Sequence, residues 1–218
     1  MIIAVGGIKG GSGKTTVATH LAIIRATAGS DVLLIDADDQ ETASDFTTLR
    51  NERRSNGAGY TSIKLTGAAV RTEGRKLAGK YQDIIIDTGG RDTTSQRAAL
   101  SIAHVLLVPF VPRSFDVWTL EKVAALVEEM RAGNPELKAC VFINRADPRG
   151  QDNQDAAGVL KDNAILEFID TPLGSRKAFG NAAAEGAAVT ELKGGDSKAS
   201  EEILRLYEFV FNVEKTLK

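Results

Sequence analysis

Short apolar runs and longer segments of mixed polarity alternate along the chain. The runs Ile2–Val5, Val32–Ile35, Ser62–Leu65, Ile84–Ile86, Val105–Pro109 and Ala139–Ile143 are rich in Val, Ile and Leu, and Leu166–Ile169 is a weaker seventh. Continuous rather than alternating hydrophobicity predicts strands covered on both faces. Between them, helical signals fall at Thr15–Ala28, Thr42–Arg54, Ala68–Gly79, Thr94–Ile102, Ser114–Ala132, Asp152–Asp162, Ser175–Glu185 and Ser197–Leu217. Strand–helix alternation from end to end predicts βαβ units, hence an α/β fold with a mainly parallel, twisted sheet flanked by helices. There is no internal repeat and no long linker. Gly194-Gly195 reads as a loop before the last helix, so residues 1–218 are expected to form one domain.

The link from the first strand to the first helix carries the strongest chemical signal, Lys9-Gly10-Gly11-Ser12-Gly13-Lys14-Thr15-Thr16. Gly13-Lys14-Thr15 is the end of the phosphate-loop pattern G-x-x-x-x-G-K-[ST], although Ile8 stands where that pattern has its first glycine. A loop of this kind, set between strand and helix, turns successive backbone N–H groups toward a triphosphate. The helix N-terminus adds partial positive charge. Gly10, Gly11, Ser12, Gly13, Lys14, Thr15 and Thr16 are therefore the candidate ATP cradle. Lys14 is placed to reach the β- and γ-phosphates, and the Thr15 hydroxyl to ligate Mg²⁺. The fold expected is that of a P-loop NTPase.

Composition narrows the setting. The net charge is -2 and there is a single cysteine, Cys140. A lone cysteine cannot form an internal disulfide, which suits a reducing cytosol. Apolar runs such as Val105 to Val111 are too short to cross a bilayer. Met1 leads straight into a strand, without the features of a secretory signal. With a slightly acidic chain, any nucleic-acid contact must use a local patch or one completed by dimerisation. Arg53-Arg54 and the group Arg71, Arg75, Lys76 and Lys80 read as solvated faces; Lys198 and Arg205 are the C-terminal candidates for a basic strip. His20 and His104 have no metal-ligand spacing and read as structural.

Lys9, five residues before Lys14, sharpens the motif. The string K-G-G-x-G-K-T-T resembles the deviant phosphate loop of the ParA/MinD family of ATPases, closest to the short ParA-type partition proteins. In that family the early lysine reaches the nucleotide of a partner subunit. The resemblance implies that Lys9, Lys14 and Asp38 act in hydrolysis. Val32-Leu33-Leu34-Ile35-Asp36-Ala37-Asp38-Asp39-Gln40 looks like the family's D-x-D-P-Q segment, with Asp39 in place of proline. There Asp38 positions the attacking water and Asp36 supports the Mg²⁺ shell, whereas Asp39 reads as a solvated turn residue. Ile84-Ile85-Ile86-Asp87 looks like the Walker B strand, with Asp87 holding Mg²⁺ through water. Gly89-Gly90 after it forms a potential switch loop, and Asp83 before it reads as a turn residue. Asn144 matches an asparagine placed against adenine, or sits in a plain strand-to-loop turn. Thr171 to Phe179 resembles the segment beside the base, or is a helix start capped by Ser175.

By the same resemblance the protein is a cytoplasmic, nucleoid-associated ATPase. It forms an ATP-dependent homodimer, binds DNA without sequence preference and works with a ParB-like or other cargo adaptor. Two further readings stand beside this one. A MinD-like membrane cycle needs a basic amphipathic C-terminal helix, and Glu201, Glu202, Glu208 and Glu214 oppose an anionic surface. A metabolic enzyme of the same fold remains open, although one cysteine argues against a cluster-bridging reductase.

Overall fold

The computed structural model describes residues 1–112, 117–147 and 151–212; the predicted helix start at Ser114, the neighbouring Arg113 and the Trp118 side chain lie outside them. Among the described residues eight strands form one sheet: β1 Ile2–Val5, β2 Val32–Ala37, β3 Thr61–Lys64, β4 Asp83–Thr88, β5 Val105–Phe110, β6 Lys138–Ala146, β7 Glu167–Phe168 and β8 Leu173–Gly174. The order is β3-β2-β4-β1-β5-β6-β7, with β8 also on β6, and the pairings are parallel. The helices are α1 Lys14–Thr27, α2 Thr42–Arg53, α3 Ala69–Leu77, α4 Thr94–Leu100, α5 Val117–Arg131, α6 Asp152–Lys161, α7 Lys177–Ala184 and α8 Ser197–Asn212.

Successive strand residues feed opposite faces of the sheet. Ile2, Ala4, Leu33, Ile35, Ile84 and Ile86 pack in one apolar cluster with residues of α3, α4, α5 and α6. Ile3, Val5, Leu34, Ile85 and Phe142 pack in the other, with α1 and α8. α1 is buried almost all round, which explains its weak amphipathicity. α8 instead shows one stripe, Ala199, Ile203, Leu206 and Val210, turned into the second cluster. Its apolar face is thus used by the core. Among the described residues no helix is long and apolar enough to cross a membrane.

Three boundaries differ from expectation for physical reasons. β6 runs to Ala146 because β8 pairs with its end, so Asn144 lies within a strand. The Ser175 N–H donates to the Ala146 carbonyl at 2.9 Å, which continues that pairing. α7 therefore starts only at Lys177; Ser175 does not cap it, and Arg176 stands extended at the N-cap. Asp83 is no turn residue. It opens β4, buried, accepting from the Met1 ammonium at 3.1 Å and from Arg25 Nε at 2.6 Å.

β1 is the point where the sheet changes direction, since β2 and β4 lie to one side and β5 to the other. Crevices outside the carboxyl ends of strands at such a point are where open α/β sheets bind ligands.

Candidate nucleotide-binding site

The phosphate loop leaves β1 at this point and its backbone is held from two sides. Gly13, the residue before α1, has φ +93, a left-handed conformation that glycine adopts without cost. The space a Gly13 side chain would need is taken by the Asn144 amide. Asn144 Nδ2 donates to the Ser12 carbonyl at 2.6 Å, so β6 pins the loop from below. From the other side Gly90 packs flat on it: a Cβ there would lie 2.7 Å from the Gly10 Cα and N. The loop after β4 and the phosphate loop are therefore in backbone contact.

The two strand-end aspartates meet in register. Asp36 of β2 sits beside Asp87 of β4, which sits beside Val5 of β1. Their environments differ. Asp36 is fully engaged within the chain: one oxygen accepts from the Ser44 N–H at 2.8 Å and the Ser44 hydroxyl at 2.7 Å, and the other from the Asp38 N–H at 3.2 Å. Ser44 lies in the first turn of α2, whose start at Glu41 carries no side-chain cap. Asp36 thus caps α2 from a distance, a carboxylate at a helix N-terminus, and fixes the loop that bears Asp38.

Asp87 is fully buried, and neither carboxylate oxygen has a partner in good hydrogen-bond geometry. Burial pushes its carboxyl up to about 7; the nearby Thr15 hydroxyl and Lys14 offset part of the rise, while Asp36 and Asp38 add to it. An orphaned buried carboxylate next to a Thr hydroxyl suits a divalent cation, and Mg²⁺ takes few protein oxygens alongside phosphate and water. No larger cluster of His, Cys, Asp or Glu suited to a metal occurs among the described residues. Lys14 is also buried, its Nζ donating to the Lys9 carbonyl at 2.9 Å. Burial lowers its pKa, against the opposing pull of Asp87 and Asp38. The Lys9 side chain is half-buried and makes no hydrogen bond or ion pair among the described residues.

Lys14 and Asp38 line one cleft of about 600 Å³. Gly10, Gly11, Gly13, Lys14, Thr15 and Thr16 form one wall; Asp38, Asp39, Gln40, Gly89, Gly90 and Arg91 form the other. The Asp38 carboxylate faces Gly89, 3.2 Å from where a Cβ would be. A second cleft of about 300 Å³ shares Gly13, Thr16 and Arg145 with the first and runs past Asn144, Arg176 and Phe179. Arg176 is held there by Glu202 at 2.6 Å and Asp196 at 3.3 Å. Behind the wall, His20 is buried and neutral. Its Nδ1–H donates to the Thr16 carbonyl at 2.7 Å and its Nε2 accepts from the Val189 N–H at 3.1 Å. Burial lowers its pKa to about 4.

The sequence left three contributors unread. Gln96, fully buried on α4, has its side-chain amide 3.2 Å from the carbonyls of Gly7 and Gly89 and 3.0 Å from that of Arg91; with the amide nitrogen turned toward these acceptors it ties the two loops together. Thr93-Thr94-Ser95-Gln96 has the spacing of a capping box, and Thr93 does accept from the Gln96 N–H. That pattern explains a glutamine here without revealing that its side chain turns to the loops. Arg145 holds φ +55 where the clefts join, a strained conformation for a non-glycine residue. Ser44 holds Asp36 from the first turn of α2.

The sequence matches the CobQ/CobB/MinD/ParA nucleotide binding domain over residues 3–189. It is 30% identical over 204 residues to the maintenance of carboxysome distribution protein A of Gloeobacter kilaueensis, covering 92% of this chain and 88% of that protein. The fold is similar to that of Cyanothece McdA in a complex with ATP, with a TM-score of 0.80, 16% identity and 97% and 96% of the two chains covered. It is also similar to a plasmid partition protein from Borrelia burgdorferi bound to AMPPNP, with a TM-score of 0.74, 20% identity and 94% and 97% covered. A parallel sheet with its phosphate loop at the point of reversal, and a family match across most of the chain, lead to one conclusion: this protein belongs to the CobQ/CobB/MinD/ParA family of nucleotide-binding domains.

Proposed function

We propose that this protein is a ParA-type positioning ATPase: it dimerises on ATP, binds DNA without sequence preference, and moves a cargo presented by an adaptor protein. The observation that carries the reading is the convergence of Lys14, Thr15 and Asp38 on one cleft, with the buried Asp87 close to Lys14 and Thr15 and the Lys9 side chain without a hydrogen bond or ion pair among the described residues. The phosphates of ATP lie along the Gly10–Thr16 backbone, where Lys14 exchanges its Lys9 carbonyl for phosphate oxygens. Thr15 and Asp87 would hold Mg²⁺, and the ion would supply positive charge against the phosphates. Asp36 keeps the Asp38 loop in place, and Asp38 orients the attacking water. The base occupies the second cleft between Asn144 and Phe179. Gly90, in contact with Gly10, senses the γ-phosphate and passes its loss to the loop held by Gln96.

The Lys9 side chain has no hydrogen bond or ion pair among the described residues, so its target is placed on a second subunit. The cargo class follows the relatives, whose names specify carboxysomes and plasmids. A membrane-cycling role would need a free amphipathic helix, and the α8 stripe is committed to the core. Light scattering with ATP tests the reading. Wild type should dimerise, whereas Lys9→Gln should bind ATP as a monomer yet dimerise and hydrolyse poorly. A Lys9→Gln protein that dimerises and hydrolyses normally refutes it.

A further inference from the structure

The two ends of α2 line two different clefts. Its first residue, Thr42, belongs to the nucleotide cleft beside Asp38. Its last, Arg53, lines a separate cleft of about 590 Å³ with Arg54, Glu185, Glu191, Lys193 and neighbouring residues of the chain after α7. The helix spans about 17 Å between them and is fastened at both ends. At the nucleotide end Ser44 is bonded to Asp36. At the far end Arg50 is buried and donates to the carbonyls of Ala58 and Gly186, each at 2.8 Å. It also pairs with both oxygens of Glu191 at 2.8 Å. Burial alone would raise the Glu191 carboxyl, but the Arg50 hydrogen bonds overcome this and hold it below the usual value.

The charge of Glu191 is therefore spent on Arg50, with Arg54 3.6 Å away. The far cleft is lined by three cations, Arg53, Arg54 and Lys193, and two carboxylates, a surplus of one positive charge in a chain of net charge -2. Arg53 and Lys193 are exposed and have no ion-pair partner among the described residues. Two uncommitted cations thus lie beside a half-committed Arg54.

Resting on the DNA-binding reading above, we infer that the Arg53–Arg54–Lys193 cleft is a contact surface for the backbone of duplex DNA, coupled to the nucleotide site through α2. Closing the Asp38 loop on a triphosphate displaces the start of α2. A helix clamped at both ends carries that displacement to the Arg50–Glu191 joint and so to the cleft. DNA affinity thereby becomes dependent on the nucleotide without any DNA contact at the nucleotide site.

The test is binding of random-sequence duplex DNA by wild type and by the double variant Arg53→Ala, Lys193→Ala, each with ATP and with ADP, over a salt series. Each phosphate contact contributes about 0.9 to the log–log salt slope. The double variant should bind at least tenfold more weakly at about 0.1 M salt and with a slope shallower by about 1.8 per subunit, while ATP-dependent dimerisation and basal hydrolysis stay at wild-type levels. Arg53→Lys with Lys193→Arg should retain binding. If wild type binds DNA and the alanine variant binds equally, the inference fails alone. If wild type with ATP does not bind DNA, the DNA-binding reading fails and this inference with it.

Discussion

Asp87→Asn isolates the cost of holding an unpartnered carboxylate in the nucleotide site. The carboxyl rises from 3.8 to about 7 in the folded chain, chiefly through burial. About three units at roughly 1.4 kcal/mol each amount to about 4 kcal/mol. A raised folded pKa means that the native state keeps its proton between about pH 4 and 7 while the unfolded state loses it. Stability without nucleotide should therefore fall through that window and level off above pH 7, where the full cost applies. Below pH 4 both states are protonated and the cost vanishes. Asparagine keeps the shape and removes the charge, although its buried amide N–H₂ carries a penalty of about 1–3 kcal/mol if it finds no acceptor. The variant should be no more stable than wild type at pH 4.5. At pH 8, without nucleotide or divalent cation, it should be more stable by about 1–3 kcal/mol. Urea unfolding followed by circular dichroism at pH 4.5, 6 and 8 measures this, and His20 contributes equally to both proteins and cancels. With Mg²⁺ and ATP the order should reverse, because wild type gains binding energy that the variant has lost. A stability difference that does not change with pH would refute the assignment of Asp87 as a desolvated, charge-bearing ligand awaiting a cation.

Three other outcomes are expected. Lys14→Ala removes a buried ammonium facing the phosphates, so calorimetry should show ATP affinity lower by about 1.5–3 kcal/mol, roughly 10- to 150-fold; unchanged affinity would take Lys14 out of the site. Asp38→Ala should keep ATP and accumulate as a dimer while phosphate release stops, since the loop fixed by Asp36 and Ser44 survives; normal turnover would contradict the role given to Asp38. The His20 pKa is lowered to about 4 from 6.5 by burial, so its contribution is full above pH 6.5 and is lost as pH falls toward 4, by about 3 kcal/mol. Acid unfolding of His20→Gln should lack that limb, and an identical acid profile would show that His20 is not held neutral.

What could be read from the sequence follows the range of the forces involved. Strands such as Ile2–Val5 and Ile84–Ile86 are buried on both faces, so their apolar runs announce them. The phosphate loop is legible because its glycines, lysine and threonine are contiguous and serve one ligand. Asp83 was not legible. Its type and its place before an apolar run fit a turn, and only the meeting of the Met1 ammonium and Arg25 across the sheet makes it a buried ion partner. β8 and the delayed start of α7 share a cause: two residues pairing with the end of β6 outweigh the local helix signal from Ser175.

The same contrast separates Asp36 from Asp87. By sequence both are carboxylates at the end of an apolar strand, and both read as part of one Mg²⁺ set. In the folded chain Asp36 has spent its oxygens on Ser44 and Asp38, while Asp87 has spent neither. A carboxylate already satisfied gains little from a cation, whereas an orphaned one gains back its desolvation. On the proposed reading this difference divides the labour: Asp36 orders the loop and α2, and Asp87 would take the metal. Ser44 is the residue that decides it, and at eight positions' remove from Asp36, inside a polar helix, nothing in the pattern of the chain singles it out. Ser44→Ala removes the hydroxyl's hydrogen bond to Asp36 and leaves only the backbone N–H donors of Ser44 and Asp38 to hold that carboxylate. It should weaken the start of α2 and the fixed geometry of Asp38 together.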